Sequence, residues 1–216
     1  MNSRLIVYGD IHGCFNEFSL LRKKIKIKET DIEVSVGDFL TKGGSSLKTL
    51  NFIQKNKILS VLGNHEDKLV RYIKHRDQSY ENPILLDEDE KLIVEKLNAK
   101  NIAFLCNLPL YLKFGPITVL HGGVLNFQKL DEISTEDRGK ILRLRYVDID
   151  GKFLPNGTED KSSLFWADIY DGNEGFVVYG HQTFNEANKS TNAIGIDTGC
   201  FYGNKLSAIV FSNLVK

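Results

Sequence analysis

The chain has 216 residues, of which 42% are hydrophobic, and it carries 28 basic and 28 acidic side chains. This length and hydrophobic content suit one sizeable core, so we expect a single domain over residues 1–216. The balanced charge provides no overall field to hold a long nucleic acid or a membrane surface, and an anionic substrate must therefore be bound by local groups.

The cysteines and the N-terminus indicate the compartment. Cys14, Cys106 and Cys200 are odd in number and widely spaced, which argues against a disulfide framework and for a reducing environment. The first apolar run is too short for a signal peptide, and nowhere do about 18 apolar residues follow one another. We therefore expect a cytoplasmic protein that has no membrane partner.

The first part of the chain alternates predicted strands with predicted helices. Short apolar and β-branched runs indicate buried strands, and each is followed by large apolar residues at helical spacing. The predicted strands are Leu5–Tyr8, Ile32–Val36 and Ile58–Leu62. The predicted helices cover 15–27, a segment that begins at Ser45 or Ser46, and a segment around Leu69. This order is typical of α/β proteins.

Side chains that can bind metal follow each of these three strands. Asp10 and His12 follow the first strand, Asp38 the second, and Asn64 and His65 the third. Ligands of parallel α/β sheets bind at the carboxyl ends of the strands, so we expect these side chains to converge. Carboxylate, imidazole and amide oxygen suit Mg, Mn, Zn or Fe. The sequence therefore predicts a metal site at this edge of the sheet.

The later part of the chain contains mainly strand signals. After a predicted helix over 87–98, the predicted strands are Leu110–Phe114, Ile117–Leu120, Phe176–Tyr179 and two tail segments, 193–197 and 206–211. Gly115-Pro116 predicts a tight turn between the first two of these strands. We expect the two tail segments to pair with each other as a closing hairpin.

Two of the later strands end in a histidine beside glycine, at His121 and His181. Together with His12 and His65, four of the five histidines hold the same position relative to a predicted strand. Histidines placed independently in the core or on the surface would not be expected to share that position. We therefore add His121 and His181 to the predicted metal site.

The predicted ligand set can hold two metal ions. It consists of Asp10, His12, Asp38, Asn64, His121 and His181. These ligands suffice for two divalent cations about 3.5–4 Å apart if Asp38 bridges them, with water or hydroxide as the second bridge. Metal-bound hydroxide can attack a phosphoryl group at neutral pH, and His65 can then protonate the leaving oxygen.

Further charged and polar residues are candidates for supporting roles. Either Glu66 or Asp67, which directly follow His65, could hold its tautomer. The candidates for contact with the phosphate oxygens of the substrate are Lys42, Asn64, Arg143 and Arg145.

The glycine-bearing motifs resemble those of the phosphoprotein phosphatase superfamily of calcineurin-like metallophosphoesterases. The motifs are Gly9-Asp10-Ile11-His12-Gly13, Gly37-Asp38, Gly63-Asn64-His65-Glu66, His121-Gly122-Gly123 and Gly180-His181. The resemblance implies a four-layer α/β fold in which two mixed sheets pack between helices, and two ions of Mn, Fe or Zn. It assigns Asp10, His12 and Asp38 to one ion, and Asp38, Asn64, His121 and His181 to the other. It also implies that His65 is the general acid.

One segment departs from the protein serine/threonine phosphatases of this superfamily. Where they have Gly-Asp-x-Val-Asp-Arg-Gly, this chain has Gly37-Asp38-Phe39-Leu40-Thr41-Lys42-Gly43. Thr41 therefore replaces the aspartate that pairs with the general acid, and Lys42 replaces an arginine that binds phosphate. Lysine offers a point charge instead of a planar fork. We expect Asp67 to take the place of the missing aspartate.

The same segment, together with residues 195–203, resembles the ApaH-like phosphatases, relatives of the symmetrical diadenosine tetraphosphate hydrolases. Members of that branch act on nucleotide polyphosphates, inorganic polyphosphate, capped RNA or phosphoproteins. We therefore expect a phosphohydrolase that cleaves a phosphoanhydride or phosphomonoester, with dinucleoside polyphosphates or related nucleotides favoured as substrates. A serine/threonine phosphoprotein phosphatase is the alternative. A catalytically silent binding module is a third hypothesis, which the intact ligand set disfavours.

Overall fold

The computed structural model describes residues 3–76, 78 and 80–212. Its first part alternates strands and helices as the sequence predicts, and two further helices follow. In chain order these elements are β1 (Leu5–Tyr8), α1 (Phe15–Ile25), β2 (Ile32–Ser35), α2 (Ser46–Lys55), β3 (Leu59–Ser60), α3 (Asn64–Arg76), α4 (Glu88–Lys96) and α5 (Ala99–Cys106). No helix among the described residues is long and apolar enough to cross a membrane.

The second part consists mainly of strands. In chain order its elements are β4 (Tyr111–Phe114), β5 (Ile117–Leu120), α6 (Arg138–Arg143), β6 (Tyr146–Val147), β7 (Phe153–Leu154), β8 (Leu164–Phe165), α7 (Trp166–Ile169), β9 (Phe176–Tyr179), β10 (Asn188–Lys189), β11 (Ala193–Gly195) and β12 (Ala208–Phe211). Two short 3-10 helices lie at Leu130–Glu132 and Cys200–Tyr202.

Two mixed sheets form the centre of the molecule. The first has the order β12-β1-β2-β3, in which β1, β2 and β3 are parallel and β12 is antiparallel. The second has the order β10-β11-β9-β5-β4, in which β5, β9 and β11 are parallel. A third, small antiparallel sheet has the order β7-β6-β8.

The alternation of side chains along β1 shows how the layers are built. Leu5 and Val7 point toward the second sheet and share an apolar cluster with Val178 of β9. Ile6 and Tyr8 point the other way, into a cluster to which α1 to α5 contribute. All four side chains of β1 are fully buried. A strand that is covered on both faces explains the continuous apolar run from which it was predicted.

The outer face of the second sheet is covered by the segment between β5 and β9. Trp166 in this segment packs edge to face on Tyr179 of β9, with ring centroids 4.9 Å apart. The layers are therefore helices, sheet, sheet and this covering segment, which carries α6, α7 and the small sheet. The predicted four-layer α/β class is confirmed. The small sheet was not predicted, because its strands are only two residues long.

The tail differs from the predicted closing hairpin. Both tail segments form strands, but β11 pairs with β9 and β10, whereas β12 pairs with β1 in the other sheet. Residues 196–207 therefore cross from one sheet to the other. The hairpin prediction was wrong because an apolar run identifies a strand without identifying its neighbour, and β12 pairs with β1 along all four of its residues.

An ionic cluster fastens α1 to the first sheet. Glu33 on β2 accepts hydrogen bonds from Nε and Nη2 of Arg22, each at 2.7 Å. The same carboxylate accepts a hydrogen bond of 2.6 Å from the hydroxyl of Tyr8 on β1. The planar guanidinium donates to both carboxylate oxygens, and such a bidentate ion pair is stronger than one with a single hydrogen bond.

We predict that Arg22→Met lowers the free energy of unfolding by about 1.5–3 kcal/mol, because the carboxylate of Glu33 loses its charged partner. Tyr8→Phe removes one hydrogen bond to this carboxylate but leaves its charged partner in place, and it should therefore cost less. Urea denaturation of the wild type and both variants measures these differences. Equal stability of Arg22→Met and the wild type would show that the cluster does not stabilise the fold.

Candidate dimetal centre

Asp38 lies at the centre of the candidate site. Its carboxylate Oδ2 is 3.3 Å from Nε2 of His121, 3.7 Å from Nε2 of His12 and 3.9 Å from Nε2 of His65. Its Oδ1 accepts a hydrogen bond of 3.0 Å from the backbone N–H of His65. Segments that follow strands of both sheets therefore meet at one carboxylate.

Asn64 and Asp10 bring in the remaining candidate ligands. Oδ1 of Asn64 lies 2.9 Å from Nε2 of His121 and 2.7 Å from Nδ1 of His181. Oδ2 of Asp10 accepts the backbone N–H of His181 at 3.2 Å and lies 4.0 Å from Nε2 of His12. All six side chains that were predicted to bind metal are thus brought together.

Two groups of possible ligand atoms share Asp38. The ligand atoms of Asp10, Asp38 and His121 lie within 4.8 Å of one another, and so do those of His12, Asp38 and His65. A carboxylate that belongs to both groups is suited to bridge two cations. The mixture of oxygen and nitrogen donors suits Mn, Fe or Zn.

The buried acids also fit a cationic cofactor. Burial raises the pKa of Asp10 well above its ordinary value, and the neighbouring Asp197 raises it further. For Asp38, burial acts in the same direction, but the adjacent histidines, above all His121, outweigh it and hold the pKa well below its ordinary value. A divalent cation would offset the cost of keeping both carboxylates charged inside the protein. The residues therefore fit a pair of divalent ions.

Backbone carbonyls orient two of the imidazoles. Nδ1 of His121 lies 2.9 Å from the carbonyl oxygen of Val36, and Nδ1 of His12 lies 3.2 Å from that of Leu40. A carbonyl oxygen can only accept, so Nδ1 carries the proton and donates in both rings. Nε2, which faces Asp38, is then the nitrogen that can bind a cation, as is usual for histidine ligands.

The backbone is strained at the candidate site. Seven non-glycine residues of the described chain have positive φ, and five of them lie here. They are His12, Asp38, Thr41, Lys42 and His181. Such conformations cost about 1–3 kcal/mol each and persist only where the surroundings hold them. Their concentration at one place supports a functional role for the site.

Glu66 holds one of these strained segments. Its buried carboxylate accepts the backbone N–H groups of Asp38 and Leu40 at 2.8 and 2.9 Å. Burial, with the charge of Asp38 beside it, raises the pKa of Glu66 to about 8. Glu66 therefore positions the loop that carries Asp38 and is not the partner of His65.

The partner of His65 differs from the prediction. Nδ1 of His65 lies 2.8 Å from Oγ1 of Thr41, so a hydroxyl stands where protein phosphatases have an aspartate. Oδ2 of Asp67 instead accepts hydrogen bonds from Arg71 at 3.0 Å and Arg143 at 3.3 Å. The prediction that Asp67 pairs with His65 was wrong, because residues two apart on a helix point to different sides.

Cationic side chains border the candidate site on two sides. Nζ of Lys42 lies 3.0 Å from Nε2 of His12, and Nε of Arg145 donates to Nε2 of His181 at 3.2 Å. Arg143 lines a cavity of about 500 Å³ whose lining includes none of the candidate ligands. Two of the three predicted phosphate-binding cations thus contact candidate metal ligands, and the third lines this separate cavity.

Asp197 was not among the predicted site residues. It is buried, and its carboxylate accepts hydrogen bonds from Oγ1 of Thr183 at 2.7 Å and from the backbone N–H of Gly199 at 3.0 Å. It also adds negative charge beside Asp10. The available signal was its position two residues after β11, which matches that of Asp10 after β1.

Known proteins resemble the chain along almost its whole length. A family model of calcineurin-like phosphoesterases matches residues 3–212. Bis(5'-nucleosyl)-tetraphosphatase PrpE of Anoxybacillus flavithermus, designated asymmetrical, is 29% identical and aligns with 96% of this chain and 90% of its own. The protein of the same name from Bacillus mycoides is 30% identical with the same coverage. A crystal structure of a proposed diadenosine tetraphosphatase aligns with a TM-score of 0.81 and 25% identity, over 96% of this chain and 89% of that one.

We predict that Asp38→Asn lowers the bound metal from two ions per chain to one or none, because a neutral amide cannot bridge two cations as a carboxylate does. Metal analysis after dialysis against Mn²⁺ measures the stoichiometry. Thermal unfolding provides a second readout, since an ion that binds only the folded state raises the melting temperature. Asp89→Asn, on the exposed face of α4, is the matched control. Two ions in Asp38→Asn would reject the bridging role.

Proposed function

The chain belongs to the calcineurin-like phosphoesterase family, and from this premise we propose that it hydrolyses dinucleoside polyphosphates with the aid of two divalent metal ions. The observation that carries the proposal is the convergence of the six candidate ligands, with Asp38 at their centre, in one place. It is supported by relatives named tetraphosphatases that align with 96% of this chain. We place the activity in the cytoplasm because all three cysteines are free.

The six ligands would hold the metal ions in two overlapping sets. These are Asp10, His12 and Asp38 for one ion, and Asp38, Asn64, His121 and His181 for the other. The chemistry supplied by such ions is activation of water at neutral pH and withdrawal of charge from the phosphoryl oxygens.

Lys42 and Arg145 are the groups that we assign to the phosphate oxygens nearest the reaction. Each already directs its charge into the site, because each contacts the imidazole of a candidate ligand. The guanidinium can bind two oxygens at once, whereas the ammonium acts as a point charge.

The cavity beside Arg143 favours a substrate with several phosphates. It is also lined by Arg71, Lys74 and Arg138, and only Asp67 and Glu136 among its lining residues are acidic. A tetraphosphate carries more negative charge than a single phosphate ester and needs more cationic contacts along its length. We therefore assign the cavity to the phosphates beyond the scissile bond.

His65 is the group that we assign to protonation of the leaving oxygen. Its Nε2 faces Asp38 and its Nδ1 is held by Thr41. Burial lowers the pKa of His65, although the charge of Asp38 opposes this effect. A neutral hydroxyl partner does not stabilise the protonated ring as a carboxylate would. A ring that is protonated less at neutral pH than a free imidazole suits a nucleotide phosphate, which leaves with little need for a proton, better than the alkoxide of serine.

We predict that His65→Asn retains both metal ions and slows the hydrolysis of an ester with a poor leaving group by roughly 100-fold, as expected for loss of a general acid. The loss with p-nitrophenyl phosphate, which has a good leaving group, should be smaller. Thr41→Ala should cause a weaker loss of the same kind, and Thr41→Ser, which keeps the hydroxyl, serves as its control. A normal rate of His65→Asn with the poor leaving group would remove the proposed role.

The substrate is tested by a side-by-side assay with Mn²⁺ of diadenosine tetraphosphate, capped RNA, inorganic polyphosphate and a phosphoserine peptide. We expect the highest kcat/KM for diadenosine tetraphosphate and its cleavage to ATP and AMP, in line with the asymmetrical designation of the relatives. Two molecules of ADP would contradict asymmetrical cleavage.

The same assay addresses the alternative functions. Fastest turnover of the phosphopeptide would support a serine/threonine phosphoprotein phosphatase. No turnover of any substrate by folded, metal-loaded protein would support a catalytically silent binding module. Asp38→Asn serves as the control for contaminating activity.

A further inference from the structure

The loop after β11 presents two aromatic side chains to solvent. Phe201 is 40% exposed and Tyr202 is 66% exposed. Their rings meet edge to face, with centroids 5.4 Å apart. Adjacent exposed aromatic rings form an apolar surface, and such surfaces on soluble proteins commonly bind ligands.

Lys42 connects this aromatic surface to the candidate metal site. Its Nζ lies 5.4 Å from the ring centroid of Tyr202, 3.5 Å from the hydroxyl of that ring and 3.0 Å from Nε2 of His12. The ring of Phe201 lies 6.5 Å from that of His12. A phosphate-binding charge and an exposed aromatic surface are therefore immediate neighbours.

Hydrogen bonds hold the aromatic loop in one conformation. The carboxylate of Asp197 accepts the backbone N–H of Gly199, and the carbonyl oxygen of Gly199 accepts the backbone N–H of Tyr202 at 3.0 Å. The side-chain amide of Asn204 donates to the backbone carbonyl oxygen of Asn185 at 3.0 Å. A surface that is already ordered binds a flat ligand with little loss of conformational entropy.

We propose that the ring of Tyr202, which Phe201 contacts edge to face, forms a stacking platform for a nucleobase of the substrate. The inference rests on the proposed function and specifies its substrate class as a nucleotide. In a nucleotide, one sugar separates the flat base from the phosphate. The platform and the phosphate-binding ammonium of Lys42 are likewise close together, with Nζ 5.4 Å from the ring centroid of Tyr202. Inorganic polyphosphate has no group for the platform. Every base has a flat face, so the platform accepts different bases.

The platform is tested by the binding of AMP and of ribose 5-phosphate, which lacks the base. Isothermal titration calorimetry with the manganese-loaded protein gives both dissociation constants. We expect AMP to bind roughly 5- to 150-fold more tightly, the range for one base stacked on an aromatic side chain. Equal dissociation constants for the two ligands in the wild type would overturn the proposal.

Variants of Tyr202 assign the preference to its ring. Tyr202→Ala should lower the ratio of the two dissociation constants toward one, whereas Tyr202→Phe keeps the ring and should keep the ratio. Phe127→Ala is the matched control, because Phe127 is 68% exposed but lines a separate cavity with Trp166 and Ile169. A full preference for AMP in Tyr202→Ala would overturn the assignment. If that variant does not fold, the wild-type comparison decides.

The binding test can contradict the platform without contradicting the proposed function, and the hydrolysis assay can contradict the proposed function without contradicting the platform. A preference for AMP without hydrolysis of diadenosine tetraphosphate would support the platform and contradict the proposed function. Hydrolysis of diadenosine tetraphosphate with equal binding of AMP and ribose 5-phosphate would support the proposed function and overturn the platform.

Discussion

The structure depends on one buried charge, the carboxylate of Asp38. It is only 2% exposed and lies within 4 Å of three imidazoles. A buried carboxylate without compensation costs several kcal/mol, so the imidazoles must come close to it. They are carried by segments of both sheets, and the two sheets must therefore pack with the ends of their parallel strands at one edge. The apolar layer in which Leu5 and Val7 meet Val178 keeps them in that arrangement.

Close approach of the backbone explains the glycines of the motifs. A Cβ atom at Gly63 would lie 2.2 Å from Oδ1 of Asp38, and one at Gly180 would lie 2.0 Å from Oδ1 of Asp10. Both distances are far below van der Waals contact, so only glycine leaves room for the carboxylates. The strained backbone of Asp38 is held from a different element, because the carboxylate of Glu66 on α3 accepts its N–H. Gly63 and Glu66 thus both act on the loop that carries Asp38.

Local patterns made the strands other than β6, β7, β8 and β10 predictable, and also the six candidate ligands, because each ligand closely follows an apolar run. Contacts between segments that lie far apart in the sequence were harder to predict. The pairing of β12 with β1 depends on the packing of the whole sheet, and no feature of residues 208–211 indicates it. Likewise, Asp67 is next but one to His65 in sequence, but α3 turns it toward Arg71. Thr41 reaches His65 from a loop whose left-handed backbone is not evident from its sequence.

Thr41 and Lys42, the two adjacent departures from the protein phosphatase motif, affect the preference for substrate in the same direction. Thr41 gives His65 a neutral partner, which weakens support for a protonated ring and favours a leaving group that needs little protonation. Lys42 gives the site a single charge on a flexible stem, and this stem brings the ammonium near both His12 and Tyr202. A planar guanidinium would bind one phosphate in a fixed orientation, whereas the ammonium can follow a phosphate that is tethered to a base. With the roles proposed for His65 and Lys42, both changes favour a phosphoanhydride of a nucleotide over a phosphorylated serine.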